Sequence, residues 1–161
     1  MATLYEAEGK WVEAEPLYRR AVTLQENLLG LEHPDVADNL NNLAVVYKAQ
    51  GKYSEAEPLY KRALAIREKA HGSEHPDVAE SLDNLTMLFK TEGKYVEAEA
   101  LYKRSLAMSQ KALGPEHMKV ATILKNYASL LRLMNRKNEA DRLDARAKAI
   151  LTKRDLENLP R

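Results

Sequence analysis

Glycine stands at Gly9, Gly30, Gly51, Gly72, Gly93 and Gly114 and at no other position, so each is 21 residues from the next. A ruler of that kind means internal repetition, which constrains the fold before any local propensity is weighed. Shifting the sequence by 42 residues confirms it. Residues 34–75 and 76–117 share roughly 25 of 42 positions, including His-Pro-Asp-Val-Ala, Gly-Lys-Tyr and Leu-Tyr-Lys-Arg. Between the glycines, apolar residues follow helical spacing, as with Val36, Leu40, Leu43, Ala44 and Tyr47, and then Ala56, Leu59, Tyr60, Ala63 and Leu64. The alternation that marks a half-buried strand is absent. Each 21-residue unit therefore reads as one helix and one turn, the glycine supplying the left-handed backbone that ends the helix.

The spacing predicts helices over 11–29, 34–50, 53–71, 76–92, 95–113, 118–134 and 137–154, preceded by a stub at 1–8. Pro34 and Pro76 suit first helical positions, with Asp35 and Asp77 at the positive helix ends. Pro16 and Pro58 lie a few residues inside the second helix of a pair and are expected in its first turn. Ala14, Ala56, Ala98 and Ala140 recur at 42-residue intervals, which places a small residue where antiparallel helices approach closely.

Composition narrows the function classes. The 161 residues are 45% hydrophobic, enough for a packed core, and 25 basic against 24 acidic residues leave a formal charge of +1. That balance gives no basic footprint for nucleic acid or an anionic membrane. With no cysteine, disulfides, thiolate catalysis and sulfur metal sites are all ruled out. No apolar run approaches the roughly 18 residues of a membrane span, and the first residues lack a signal peptide's pattern, so a soluble cytoplasmic protein is expected.

The motif set Leu40, Leu43, Ala44, Tyr47, Gly51, Tyr53, Ala56, Tyr60 and Ala63 resembles the tetratricopeptide repeat. The 42-residue form, with His-Pro-Asp-Val-Ala, Leu-Asn-Asn-Leu-Ala and Gly-Lys-Tyr-Ser-Glu-Ala-Glu-Pro-Leu-Tyr-Lys-Arg-Ala-Leu, is similar to the repeats of kinesin light chains and their prokaryotic relatives. The resemblance implies an all-α, right-handed superhelical solenoid of antiparallel helix pairs, about three and a half repeats long. It divides the chain into a truncated first repeat (1–33), full repeats at 34–75 and 76–117, and a terminal capping repeat at 118–161. Residues 1–10 align with residues 43–52, so the sequence is expected to begin partway through a first helix. At the other end Asn135, Lys137 and Asp144 replace the glycine, the tyrosine and the large aromatic of earlier repeats, as a solvent-facing cap would.

The aromatics fall on repeat positions: Tyr5, Tyr47 and Phe89; Tyr18, Tyr60 and Tyr102; Trp11, Tyr53 and Tyr95; with Tyr127 where Leu43 and Leu85 stand. None is left over for stacking bases or a cofactor ring. His33, His75 and His117 recur every 42 residues in the turns between repeats, in successive layers rather than around one ion, so they are assigned to turns or caps and no metal is expected. No Ser/His/Asp arrangement or phosphate-binding glycine loop stands outside the repeat grammar. Neither catalysis nor a cofactor is expected.

On the first helix of each pair, the face opposite the packed residues carries Asp38, Asn41, Asn42, Val45, Lys48 and Ala49. Its counterparts are Glu80, Asp83, Asn84, Met87, Lys90 and Thr91, then Thr122, Lys125, Asn126, Ser129, Arg132 and Leu133. The family resemblance implies that this face lines a concave groove that holds extended peptides. Asn42, Asn84 and Asn126 form one row whose amides can pair with peptide backbone, and Lys48, Lys90 and Arg132 form a basic row suited to carboxylates. Asn41, Asn42, Lys48, Asp83, Asn84, Lys90, Lys125, Asn126 and Arg132 are the candidate peptide-binding residues. An asparagine in a helix can instead bond a neighbouring helix, and a helix-face lysine is often simply solvated. The leading expectation is a protein-binding adaptor, with no nucleic-acid or membrane partner. The competing one is a structural scaffold acting through its outer surface, or through Leu4 and Tyr5 at an open N-terminal face that forms a weak homo-oligomer.

Overall fold

A computed structural model describes residues 9–157, with side chains placed through Lys153. Seven α-helices and no strand occur among the described residues: α1 (Trp11–Leu29), α2 (Pro34–Ala49), α3 (Tyr53–His71), α4 (Pro76–Thr91), α5 (Tyr95–Leu113), α6 (Met118–Leu133) and α7 (Lys137–Glu157). Expected and observed boundaries agree within one residue, except that α7 runs three residues further, to Glu157. The stub at 1–8, with Leu4 and Tyr5, lies outside the described residues. The chain packs as two compact units divided between Leu88 and Phe89, inside α4 rather than at a 42-residue mark.

All six glycines have positive φ, between 69° and 90°, and Asn135 is the one non-glycine with positive φ among the described residues, at 60°. The glycines serve two different stops. After α2, the Gly51 N–H bonds the Lys48 carbonyl at 3.0 Å and the Lys52 N–H bonds the Tyr47 carbonyl at 2.9 Å, the paired closure of a left-handed helix cap. Asn135 and Arg136 repeat that pair on Arg132 and Leu131, at 3.0 and 2.9 Å. After α3, by contrast, Gly72 sits at φ 83° and ψ 162°, a region that essentially only glycine occupies. This explains why asparagine replaces glycine at the first kind of stop and not the second. Gly72→Asn is expected to cost about 1 to 3 kcal/mol and Gly51→Asn well under half of that, as read from urea unfolding midpoints.

The histidines cap the helices that follow them. Nδ1 of His33, His75 and His117 accepts the backbone N–H two residues on, from Asp35 (3.3 Å), Asp77 (3.3 Å) and Lys119 (3.1 Å). The first-turn placement of Pro16 and Pro58 requires correction. Each is the sixth residue of its helix, in the second turn, and each is exposed. A proline there removes the bond to the carbonyl four residues earlier, and the residues carrying those carbonyls, Val12 and Ser54, are also exposed, where water can serve them.

Within the units, α1 packs on α2 and α2 on α3 in the first, and α5 on α6 and α6 on α7 in the second. Ala14, Ala56, Ala98 and Ala140 are all fully buried. In the first unit the core is built from Tyr18, Val36, Leu40, Val46, Tyr60, Ala63, Val78 and Leu82. In the second, Val120, Ala121, Leu124, Ala147 and Ile150 cluster with Leu106, Leu143 and Leu151 packed against them. Ion pairs recur with the repeat: Lys52 meets Glu15 at 2.9 Å and Arg136 meets Glu99 at 2.6 Å, each 37 residues apart in sequence.

Candidate functional site

In the first unit α2 and α4 lie side by side, joined where the Asn84 amide donates to Asn41 Oδ1 at 2.9 Å. Asn41 departs from the expected open face: it is 6% exposed and spends its acceptor on this bond. Asn84 is half-buried and fixed by the same bond, so it acts as a helix-to-helix link. Asn42 is half-buried as well, but its amide has no hydrogen-bond partner among the described residues. Val45 is half-buried beside it, and Met87 on α4 is 55% exposed.

The basic row is unequal along the chain. Lys48 is half-buried, makes no ion pair among the described residues, and burial holds its pKa below the ordinary lysine value. Lys90, at the end of α4, donates to Ser129 Oγ at 3.3 Å. Arg132 is held by α7, at 3.0 Å from Asp141 and 2.5 Å from Asp144. Asp144, which stands where earlier repeats carry a tyrosine, therefore neutralises the third member of the row as well as ending the aromatic series. Lys125 and Asn126 on α6 are exposed, without a partner among the described residues, and Asp83 on α4 is exposed.

Two polar centres emerge only from the structure. Arg67 on α3 is 5% exposed and reaches between α2 and α4, donating to Asp38 Oδ1 (2.7 Å), Ser81 Oγ (2.9 Å) and the Asp77 carbonyl (3.0 Å). Its counterparts in neighbouring repeats are Gln25 and Ser109, and that irregularity at an inward-facing position was the available sequence signal. Glu99 is 7% exposed and accepts hydrogen bonds from Tyr127 (2.7 Å) and Arg136 (2.6 Å), with Lys103 at 2.8 Å. Burial raises its pKa, but those three partners outweigh it and hold the carboxyl down to about 2. Burial first, then the bond to Glu99, pushes the Tyr127 hydroxyl well above the usual phenol range. The recurrence of Glu15, Glu57 and Glu99, each with a base four residues later, was visible in the sequence.

These centres stabilise the helix stack, while the open face offers amides, a half-buried amine and apolar side chains. Among the described residues no group of three or more His, Asp or Glu side chains is placed to hold a metal ion, and no helix is long and apolar enough to cross a membrane. Residues 1–69, 39–111 and 87–153 each match the family model described as Tetratricopeptide repeat. The chain belongs to the tetratricopeptide repeat family. Its fold is thus an all-α helical-repeat solenoid. Comparison with curated proteins gives no match.

Among solved structures, this tetratricopeptide chain is similar to BtubC (BKLC) from P. vanneervenii, at 23% identity and a TM-score of 0.87, covering 99% of this chain and 63% of that one. At that identity the likeness concerns the fold, and this chain spans less than two thirds of that relative. It is also similar to the nearly identical TPR-like repeats of a kinesin-light-chain-type protein from Podosopora anserina, at 30% identity and a TM-score of 0.85, covering 94% of this chain and 72% of that one.

Proposed function

We propose that this tetratricopeptide chain is a protein-interaction module whose open first-helix faces hold an extended peptide segment of a partner, with no catalysis of its own. The supporting observation is the pair Asn42 and Lys48: one amide and one amine on a single face, both half-buried and both without a partner among the described residues. Such groups stay hydrated in the free protein but have already lost part of their water, so a ligand that pairs them has less desolvation left to offset. Val45 and Met87 provide apolar contact on the same face. In the second unit Lys125 and Asn126 on α6 offer an amine and an amide of the same kind, whereas Asn41 and Arg132 are already committed to internal bonds.

Each neutral hydrogen bond contributes about 0.5 to 1.5 kcal/mol, so the natural affinity for such a ligand is micromolar. A peptide-library screen against the full chain should yield binders whose affinity falls about 2- to 10-fold in Asn42→Ala and in Lys48→Ala, with unchanged helicity. Binders indifferent to both substitutions, or no binders, would remove this assignment. A second reading, self-assembly through the outer surface, is favoured by Leu24 and Leu28 on α1, which are 50% and 78% exposed. Light scattering during the same screen separates the two, since self-assembly raises the mass with concentration.

A further inference from the structure

We propose that the open face of α2 and α4 selects an extended peptide whose charges alternate in sign, basic side chains pointing to Asp38 and Glu80 and acidic ones to Lys48. This rests on the peptide-binding reading above and adds the ligand's charge pattern.

The face carries opposite charge at its two edges. Asp38 and Glu80 occupy the same repeat position on α2 and α4, and their side chains are 65% and 58% exposed. Both turn toward Arg67, whose Nη2 lies 2.7 Å from Asp38 and whose Nη1 lies 3.9 Å from Glu80. One guanidinium between two carboxylates leaves one negative charge over. It is held in place, because Arg67 is itself anchored on Ser81 and the Asp77 carbonyl.

Ten residues beyond Asp38, about 15 Å along the α2 axis, Lys48 presents the opposite sign. Helix-dipole preference accounts for acids in the first turn, here Asp35 and Asp77, and fades beyond it. It therefore does not explain Asp38 and Glu80, which lie one turn further in. Between the edges the floor is neutral: Asn42, Val45 and Met87.

An extended chain laid across α2 and α4 sends successive side chains to opposite sides, with a period of two. A long basic side chain reaching one way and a glutamate the other, met by the reach of Lys48, span the distance between the edges. A helical ligand would gather like charges on one side at spacings of three or four instead. Alternation of sign with a period of two is therefore the pattern that satisfies both edges and avoids placing a carboxylate beside Asp38 or an amine beside Lys48.

The test uses the full chain and three labelled 12-residue peptides of identical Glu and Arg content: strictly alternating, in pairs, and in two blocks. Fluorescence anisotropy at physiological salt should show the alternating peptide binding at least about 5-fold more tightly than the other two. That preference should vanish in Lys48→Ala and in the double variant Asp38→Asn with Glu80→Gln. Equal affinity for the three, or tighter binding of the paired or block peptide, overturns the proposal. If none of the three binds while the unbiased library yields ligands, the charge pattern is wrong and peptide binding stands; failure of both removes both.

Discussion

Glu99→Gln is expected to lower the unfolding free energy at neutral pH by about 3 kcal/mol, as measured by urea denaturation. The figure follows from a carboxyl held at about 2 instead of its ordinary value of 4.5, with 1.36 kcal/mol for each pH unit of that difference. The glutamine keeps the shape but loses the charge that Tyr127, Arg136 and Lys103 converge on. Because the folded-state pKa lies below the unfolded one, the contribution is complete above about pH 4.5 and disappears as the pH falls toward 2. The wild-type protein should therefore lose stability through that window. In Glu99→Gln the acid side of the profile should be flatter. A variant that retains the full wild-type slope would show that Glu99 is not what acid titrates.

Arg67→Ala is expected to cost about 2 to 4 kcal/mol, from the space left by a side chain only 5% exposed and from three lost hydrogen bonds. Arg67→Met should cost less, about 1 to 2 kcal/mol, because the stem still fills the space and Asp38 and Glu80 are exposed enough to be hydrated, leaving mainly the buried Ser81 hydroxyl without its partner. Equal losses for the two variants would mean that the charge, rather than the packing, is the main contribution. Both are read from thermal and urea unfolding of the full chain.

The architecture was legible because its grammar is local and repeated. Gly51 and Asn135 mark helix stops through backbone conformation, and Ala56 marks a fully buried position through size. Neither depends on knowing what lies opposite. The prolines misled by one turn because Pro16 and Pro58 are tolerated inside the helix where solvent reaches the freed carbonyl, a matter of exposure rather than of spacing. On the candidate face, helical phase alone put Asn41 and Asn42 on the same side. Adjacent residues differ by 100° of rotation, so one of them turns into the contact with α4 while the other stays open. Likewise Lys48, Lys90 and Arg132 are equivalent on the ruler, but Arg132 alone lies beside a helix carrying Asp141 and Asp144. Such partners come from tertiary neighbours, and a single repeat motif does not name them.

The central claim, that the open face of the first helices receives the ligand, is tested most directly by amide chemical-shift mapping of the full chain with a peptide from the library screen. The predicted result is a cluster of shifts at Asn42, Val45, Lys48, Asn84 and Met87, with little change at Leu24 and Leu28 on the outer side of α1. Shifts concentrated at Leu24 and Leu28, with Asn42 and Lys48 unmoved, would contradict it.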